Sequence, residues 1–239
     1  MLSAAGIWDG VAPAVLFVVW VTYQCLFGST KPRANSLNAG MAEMRVAWMR
    51  AVLARDNRIM DGQLVGHLLT SATFFASTTV LVLAGLVSAL GAADDVCAAV
   101  LRLALIPGRG QGFLEAKILL LIAIFMYGFF QFTWAVRQFN YFIAALGAAP
   151  APKDLAEEMV DGVARDMAAL LSHAVMSFNS GIRAYYFALA TFGWFLHPLA
   201  MIALTVAVAL ILVRRQTGAG AAQAVGALGG RLGGRLPIP

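Results

Sequence analysis

The sequence predicts an all-α integral membrane protein of about four transmembrane helices, with two amphipathic or charged cytoplasmic helical segments. Three observations lead there. Of the 239 residues, 61% are hydrophobic and 12% charged, and the mean hydropathy is +0.79, a balance well outside the range of soluble domains. Residues 10–27, 62–93, 118–136 and 184–213 contain no Asp, Glu, Lys or Arg, and a hydrocarbon core about 30 Å thick takes about 20 apolar residues per helical span. The basic residues gather in the connections between these stretches.

The first span is expected to be retained. No Lys or Arg precedes Lys31, and Asp9 is the wrong charge for the basic start of a cleavable signal peptide. After it, the polar run from Thr30 to Ser36 reads as a loop by its Pro and Asn content. Residues 40–61 then predict one helix lying in the membrane interface. Met41, Met44, Trp48, Val52 and Ile59 fall near one stripe, and Arg45, Arg55, Arg58 and Asp61 fall at polar positions.

The second span is rich in Ser71, Thr73, Ser77, Thr78, Thr79, Gly85 and Ser88, residues that let helices approach closely or bond back to the preceding turn. Residues 94–105 form a short amphipathic piece and 107–112 a glycine-rich turn. No Lys-Ser or Lys-Thr follows those glycines, so they do not make a phosphate cradle. The third span carries Phe125, Tyr127, Phe129, Phe130, Phe132 and Trp134, meets a cationic and aromatic belt at Arg137 and Tyr141, and is expected to continue to Gly147. Pro150 and Pro152 break the chain before a charged helix that begins near Lys153, in which Asp161 and Arg165 are placed for a helical ion pair.

The fourth apolar stretch is too long for a plain span, since about 30 residues at 1.5 Å each cover roughly 45 Å. It must tilt, kink or protrude, and His197-Pro198 near its middle supplies a bend. Residues 216–239, dominated by Gly, Ala and Arg, read as a disordered tail, which leaves 1–215 as a single polytopic membrane domain. Lys31, Arg33, Arg45, Arg50, Arg55 and Arg58 in the first connection, and Arg137, Lys153, Arg165 and Arg183 in the third, outweigh Arg102, Arg109 and Lys117 in the second. The positive-inside bias then puts the two long connections in the cytoplasm and both termini outside a cell inner (plasma) membrane. Arg214, Arg215, Arg231 and Arg235 oppose that orientation.

Several function classes drop out. The net charge of +5 comes from basic residues beside apolar spans and not interleaved with aromatics in a soluble domain, so nucleic acid is not a partner. Cys25 and Cys97 lie in apolar context with no His or Cys nearby and read as packing residues. His67, His173 and His197 offer at best one facing pair, short of a membrane di-haem site. Met41 and Met44 read as apolar packing and not as copper ligands. Ser71, Ser77 and Ser180 lack a motif that activates a nucleophile. No catalytic residue, cofactor or metal ligand is therefore assigned, and an enzyme is disfavoured.

One polar constellation stands out ahead of the fourth span: His173, Ser177, Asn179, Ser180, Arg183, Tyr185 and Tyr186. An arginine at a membrane boundary is costly unless it reaches water, a headgroup or an acidic partner. Arg183 either snorkels to headgroups or pairs with Asp61 or Asp56 of the first cytoplasmic segment, with Asn179 and Ser180 lining a polar path.

The segments Arg45-Val-Ala-Trp-Met-Arg, Arg55-Asp-Asn-Arg-Ile-Met-Asp, Phe74-Phe-Ala-Ser-Thr-Thr and Phe178-Asn-Ser-Gly-Ile-Arg-Ala-Tyr-Tyr-Phe-Ala resemble the uncharacterised membrane family called domain of unknown function 599, over residues 11–213. The resemblance implies a bacterial and plant membrane protein of about four spans, and it supplies no reaction. The functional expectation is a homo-oligomeric channel or transporter for an ion or small, anionic solute, whose path uses Arg183, Asn179, Ser180, Asp61, Asp56, Arg55 and Arg58. The alternative is an accessory subunit of a larger membrane complex. In both, the lipid bilayer is a partner.

Overall fold

The computed structural model describes residues 4–28, 36–93, 98, 111–218 and 220–234. Among them are seven α-helices and no strand: α1 Ala4–Phe27, α2 Leu37–Leu53, α3 Ile59–Gly91, α4 Gln111–Ala148, α5 Glu157–Leu196, α6 Pro198–Thr217 and α7 Gly220–Gly234, with a 3₁₀ turn at Pro152–Asp154. Four segments are long and apolar enough to cross a membrane, Gly6–Phe27, Ile59–Gly91, Gly112–Ala148 and Pro198–Thr217. The chain is an all-α integral membrane protein. Most of the Thr30–Ser36 loop, of the 94–105 piece and of the 107–112 turn expected from sequence, with Cys97, lies outside the described residues.

The expected helix over 40–61 divides in two. Ser36 starts α2, its hydroxyl accepting from the Ala39 amide at 3.3 Å, a bond that satisfies one of the orphan donors of a first turn. The helix ends at Leu53, and Arg58 draws the following loop back, donating to the carbonyls of Val52 (3.1 Å) and Ala149 (2.6 Å). Those bonds cap chain ends that a continuous helix would not leave open. The buried stripe of α2 consequently runs through Arg45, Met49, Val52 and Leu53, and Ile59 opens α3 as an exposed residue.

By contact density the chain falls into two compact units, Met1–Cys25 with Phe75–Gln131 and Ser180–Ile211, and Leu26–Phe74 with Phe132–Asn179 and Leu212–Pro239. Their boundaries fall inside helices.

The second unit holds a core of Met49, Val52, Val65, Phe139, Phe142, Met167 and Leu171 from α2, α3, α4 and α5. Each such side chain removed from water contributes about 1.5–3 kcal/mol. Helix α7 also packs here, against α2. A Cβ added at Gly229 would stand 2.7 Å from the Gly40 carbonyl oxygen, and one at Gly40 would stand 3.0 Å from the Gly226 backbone. The residues that make 216–239 read as disordered are thus the ones that let two backbones meet, the geometry small residues permit between helices.

In the first unit the fourth apolar stretch is not one helix. A Cβ at Gly193 would lie 2.8 Å from Leu204 Cδ1 and 3.0 Å from the Met201 amide nitrogen, whereas eight residues along a straight helix span about 12 Å. The chain therefore reverses at His197. Its carbonyl accepts from the amides of Ala200 (3.0 Å) and Met201 (3.2 Å), its ring Nδ1 accepts from Leu199 at 3.1 Å, and Pro198 takes the first helical position, where a missing N–H costs nothing. The proline read from sequence as a bend inside a span over 184–213 starts a new helix.

Candidate functional site

Within the first unit, Ser180 and Arg183 sit three residues apart on α5, one turn of a shared face. Arg183 donates through Nη2 to the Ser180 hydroxyl at 2.7 Å, and its guanidinium lies 5.8 Å from the centre of the Tyr23 ring. The residue is only 5% exposed, and its Nε has no hydrogen-bond partner. A ring face offers a cation partial compensation. It does not replace a carboxylate.

The neighbouring polar groups come from α1 and α4. The Tyr127 hydroxyl accepts from Gln24 Nε2 at 3.1 Å and Gln131 Nε2 at 2.7 Å, while the buried Oε1 of Gln24 has no donor. Trp20 holds this group in place, edge-on to Tyr127 at 5.2 Å and stacked on Phe187 at 5.4 Å. Gly128 brings α4 against α5, since a Cβ there would meet the Ala184 methyl at 3.5 Å. Beside them the hydroxyls of Thr79 and Tyr185 lie 2.9 Å apart.

A second buried ionic group lies in the same unit, built on Asp9 and Lys117, two charges that from sequence alone read only as flanking the spans. Lys117 Nζ donates to the Trp194 carbonyl at 2.7 Å and lies 4.4 Å from the centre of the Phe113 ring. The Trp194 indole donates to Asp9 at 3.0 Å, so one tryptophan ties a carboxylate on α1 to an ammonium on α4. The available signal was position: each charge stands within a turn or so of an uncharged run.

The other candidates fall in the second unit. Asp61, 1% exposed, accepts from the Trp48 indole at 2.7 Å and pairs with Arg55 at 2.9 Å. The ion pair expected with Arg183 is not among its contacts, because the short loop after α2 folds Arg55 over the first turn of α3. Arg58 serves as the carbonyl clamp described above, Asp56 is exposed, and Asn179 is half-buried. Arg50 reaches Asp161, which also takes the expected bond from Arg165 at 2.7 Å. Arg165 first and Arg50 second hold the Asp161 carboxyl below its ordinary value. Arg45 donates to Ser172 at 2.8 Å, and burial lowers its guanidinium from the usual value. Gln138, with its amide turned to satisfy both ends, accepts from the Trp134 indole and donates to Ser177 and the His173 carbonyl. Cys25 is exposed on α1 and so is not core packing.

The Asp61 cluster gives a stability prediction. Arg55→Ala leaves a carboxylate sealed from water with the Trp48 indole alone, and a loss of about 1–3 kcal/mol is expected. Asp61→Asn in the same chain should recover part of that loss by removing the orphaned charge. Thermal unfolding in detergent of both single variants and the double variant measures it, and strictly additive effects would show the two residues to be uncoupled.

Seven helices among the described residues, four of them apolar enough to span a membrane, and cationic side chains buried between helices define a polytopic helical membrane protein. The match of one protein family, described as "Protein of unknown function, DUF599", extends over residues 11–220. The chain belongs to that family. No curated protein and no solved structure matches it.

Proposed function

We propose that this is a transport-type membrane protein that takes a small anionic solute at Arg183. One observation carries the reading: the guanidinium is buried, its Nε is unfilled, and its described partners are a neutral hydroxyl and an aromatic face. Burying an ion without a counter-charge costs several kcal/mol, and an ionisable group buried among apolar helices is a functional-site candidate by default. A snorkelling arginine would keep its head in water, which the 5% exposure does not favour. Ser180, Gln24, Gln131 and Tyr127 supply neutral polar neighbours, so an arriving anion meets one cation and several dipoles.

The reading includes assembly of copies. Helix α3 leaves Phe74, Leu81 and Val87 exposed beside its hydroxylated and small positions, a surface suited to a second membrane helix. The same surface supports the accessory-subunit reading, in which the facing helix belongs to an unlike chain. Purification in mild detergent separates the two, as a homo-oligomer runs alone and a subunit carries other chains with it.

The direct test is reconstitution. Vesicles containing the purified protein are expected to pass a small monovalent anion down its gradient faster than empty vesicles. Permeability equal to that of empty vesicles for every anion tried, with correctly inserted protein, would overturn the proposal.

A further inference from the structure

We infer that the anion bound at Arg183 carries a hydrogen-bond donor of its own, a hydrogen-oxyanion or hydroxycarboxylate and not a simple acceptor ion, and that Gln24 selects it. The inference rests on the anion reading above and adds the identity of the ligand class. Tyr23, whose ring supports the guanidinium, is followed directly on α1 by Gln24, and Tyr23 and Tyr127 are both electrostatic neighbours of Arg183. The side-chain nitrogen of Gln24 is committed to the Tyr127 hydroxyl, which fixes the amide and turns its carbonyl oxygen elsewhere. That oxygen is buried and takes no donor.

The Tyr127 oxygen already accepts two amide donors, which fills its lone pairs and leaves its own proton to be given away. The vacant hydrogen-bonding positions include Arg183 Nε–H and Tyr127 O–H as donors and Gln24 Oε1 as an acceptor. An ion with acceptors only would satisfy the donors and strand the Gln24 carbonyl, and a buried polar group left unpaired works against the ligand that leaves it so. A planar monoanion with one O–H offers acceptors to the donors and a donor to the Gln24 carbonyl. Sites built to bond a hydroxyl discriminate strongly against the analogue that lacks it.

Hydrogencarbonate and nitrate make the decisive pair, being planar, singly charged and close in size, and differing in one O–H. At a pH where hydrogencarbonate dominates, it is expected to stabilise the purified protein against heat at concentrations at least about tenfold lower than nitrate does, with the same order in vesicle permeability. Gln24→Met should bring the two ions to near equality while nitrate binding persists. Equal effects of both ions on the wild-type protein would overturn the donor inference and leave the anion site standing. No effect of either ion, nor of acetate or glycolate, would overturn the anion site itself. A ratio that survives in Gln24→Met would remove Gln24 from the selection. Should that variant fail to fold, the wild-type ratio alone decides.

Discussion

A reporter fused after Gly218 is expected to read the same side of the membrane as reporters fused after Pro32 and Pro152, with Gly108 on the opposite side. The expectation follows from one helix contact and one chain reversal. Helix α2 follows the first span, α7 follows α6, and the two pack backbone to backbone at Gly40 and Gly229, so they lie on one side. An even number of crossings must separate them, and α3 and α4 with a single fourth span would give an odd number. With the reversal at His197, the even number follows once α5 counts as a passage separate from α6.

Helix α5 can serve as one, since residues 167–196 contain Arg183 as their sole Asp, Glu, Lys or Arg and cover about 45 Å at 1.5 Å per residue. It falls short of a plain apolar span because Ser172, Ser177, Asn179 and Ser180 are spaced along it. Arg214 and Arg215 then join the basic side with Arg45, Arg50 and Arg58, and the opposition that they raise against the positive-inside bias disappears. The effect is all-or-none. A Gly218 reporter on the Gly108 side would break the α2–α7 contact and return the chain to four crossings.

The parts of this fold that show in the sequence are those set by long apolar runs. The run 62–93 lies almost wholly within Ile59–Gly91, and the expectation that the third span continues to Gly147 meets a helix ending at Ala148. Where single residues decide, the sequence is ambiguous. A proline inside an apolar run bends a helix or begins one, and the choice at Pro198 depends on Gly193, which admits the returning helix only because it lacks a Cβ. Glycine and alanine after residue 216 indicate weak local preference, but close approach to Gly40 is a tertiary property that no local composition reports. Arg183 was visible as a charge among uncharged neighbours. Its surroundings were not, because Tyr23, Gln24 and Tyr127 come from helices more than 50 residues away in sequence.

Replacing Arg183 by methionine is expected to raise thermal stability while abolishing anion binding. In a purely structural role the guanidinium would be part of the packing, and every truncation would destabilise. In a binding role it is a buried charge held without a counter-charge in the empty protein, and exchange for an apolar side chain of similar length relieves a desolvation penalty that replacement studies place at about 1–4 kcal/mol. For a chain of this size each kcal/mol moves the unfolding temperature by about 2–4 °C. Arg183→Met should therefore melt higher than the wild type without anion and show no response to hydrogencarbonate or nitrate. Arg183→Ala should lose the response equally but gain less stability, because the shortened side chain leaves space beneath Tyr23. Arg183→Lys keeps a charge without the guanidinium fork and should bind more weakly, with permeability between the wild type and Met. The contrast of the two readouts carries the conclusion, since the wild-type residue is costly to the fold and necessary to the site. A methionine variant that melts well below the wild type, with permeability unchanged, would make Arg183 a structural residue and move the search for the solute site elsewhere.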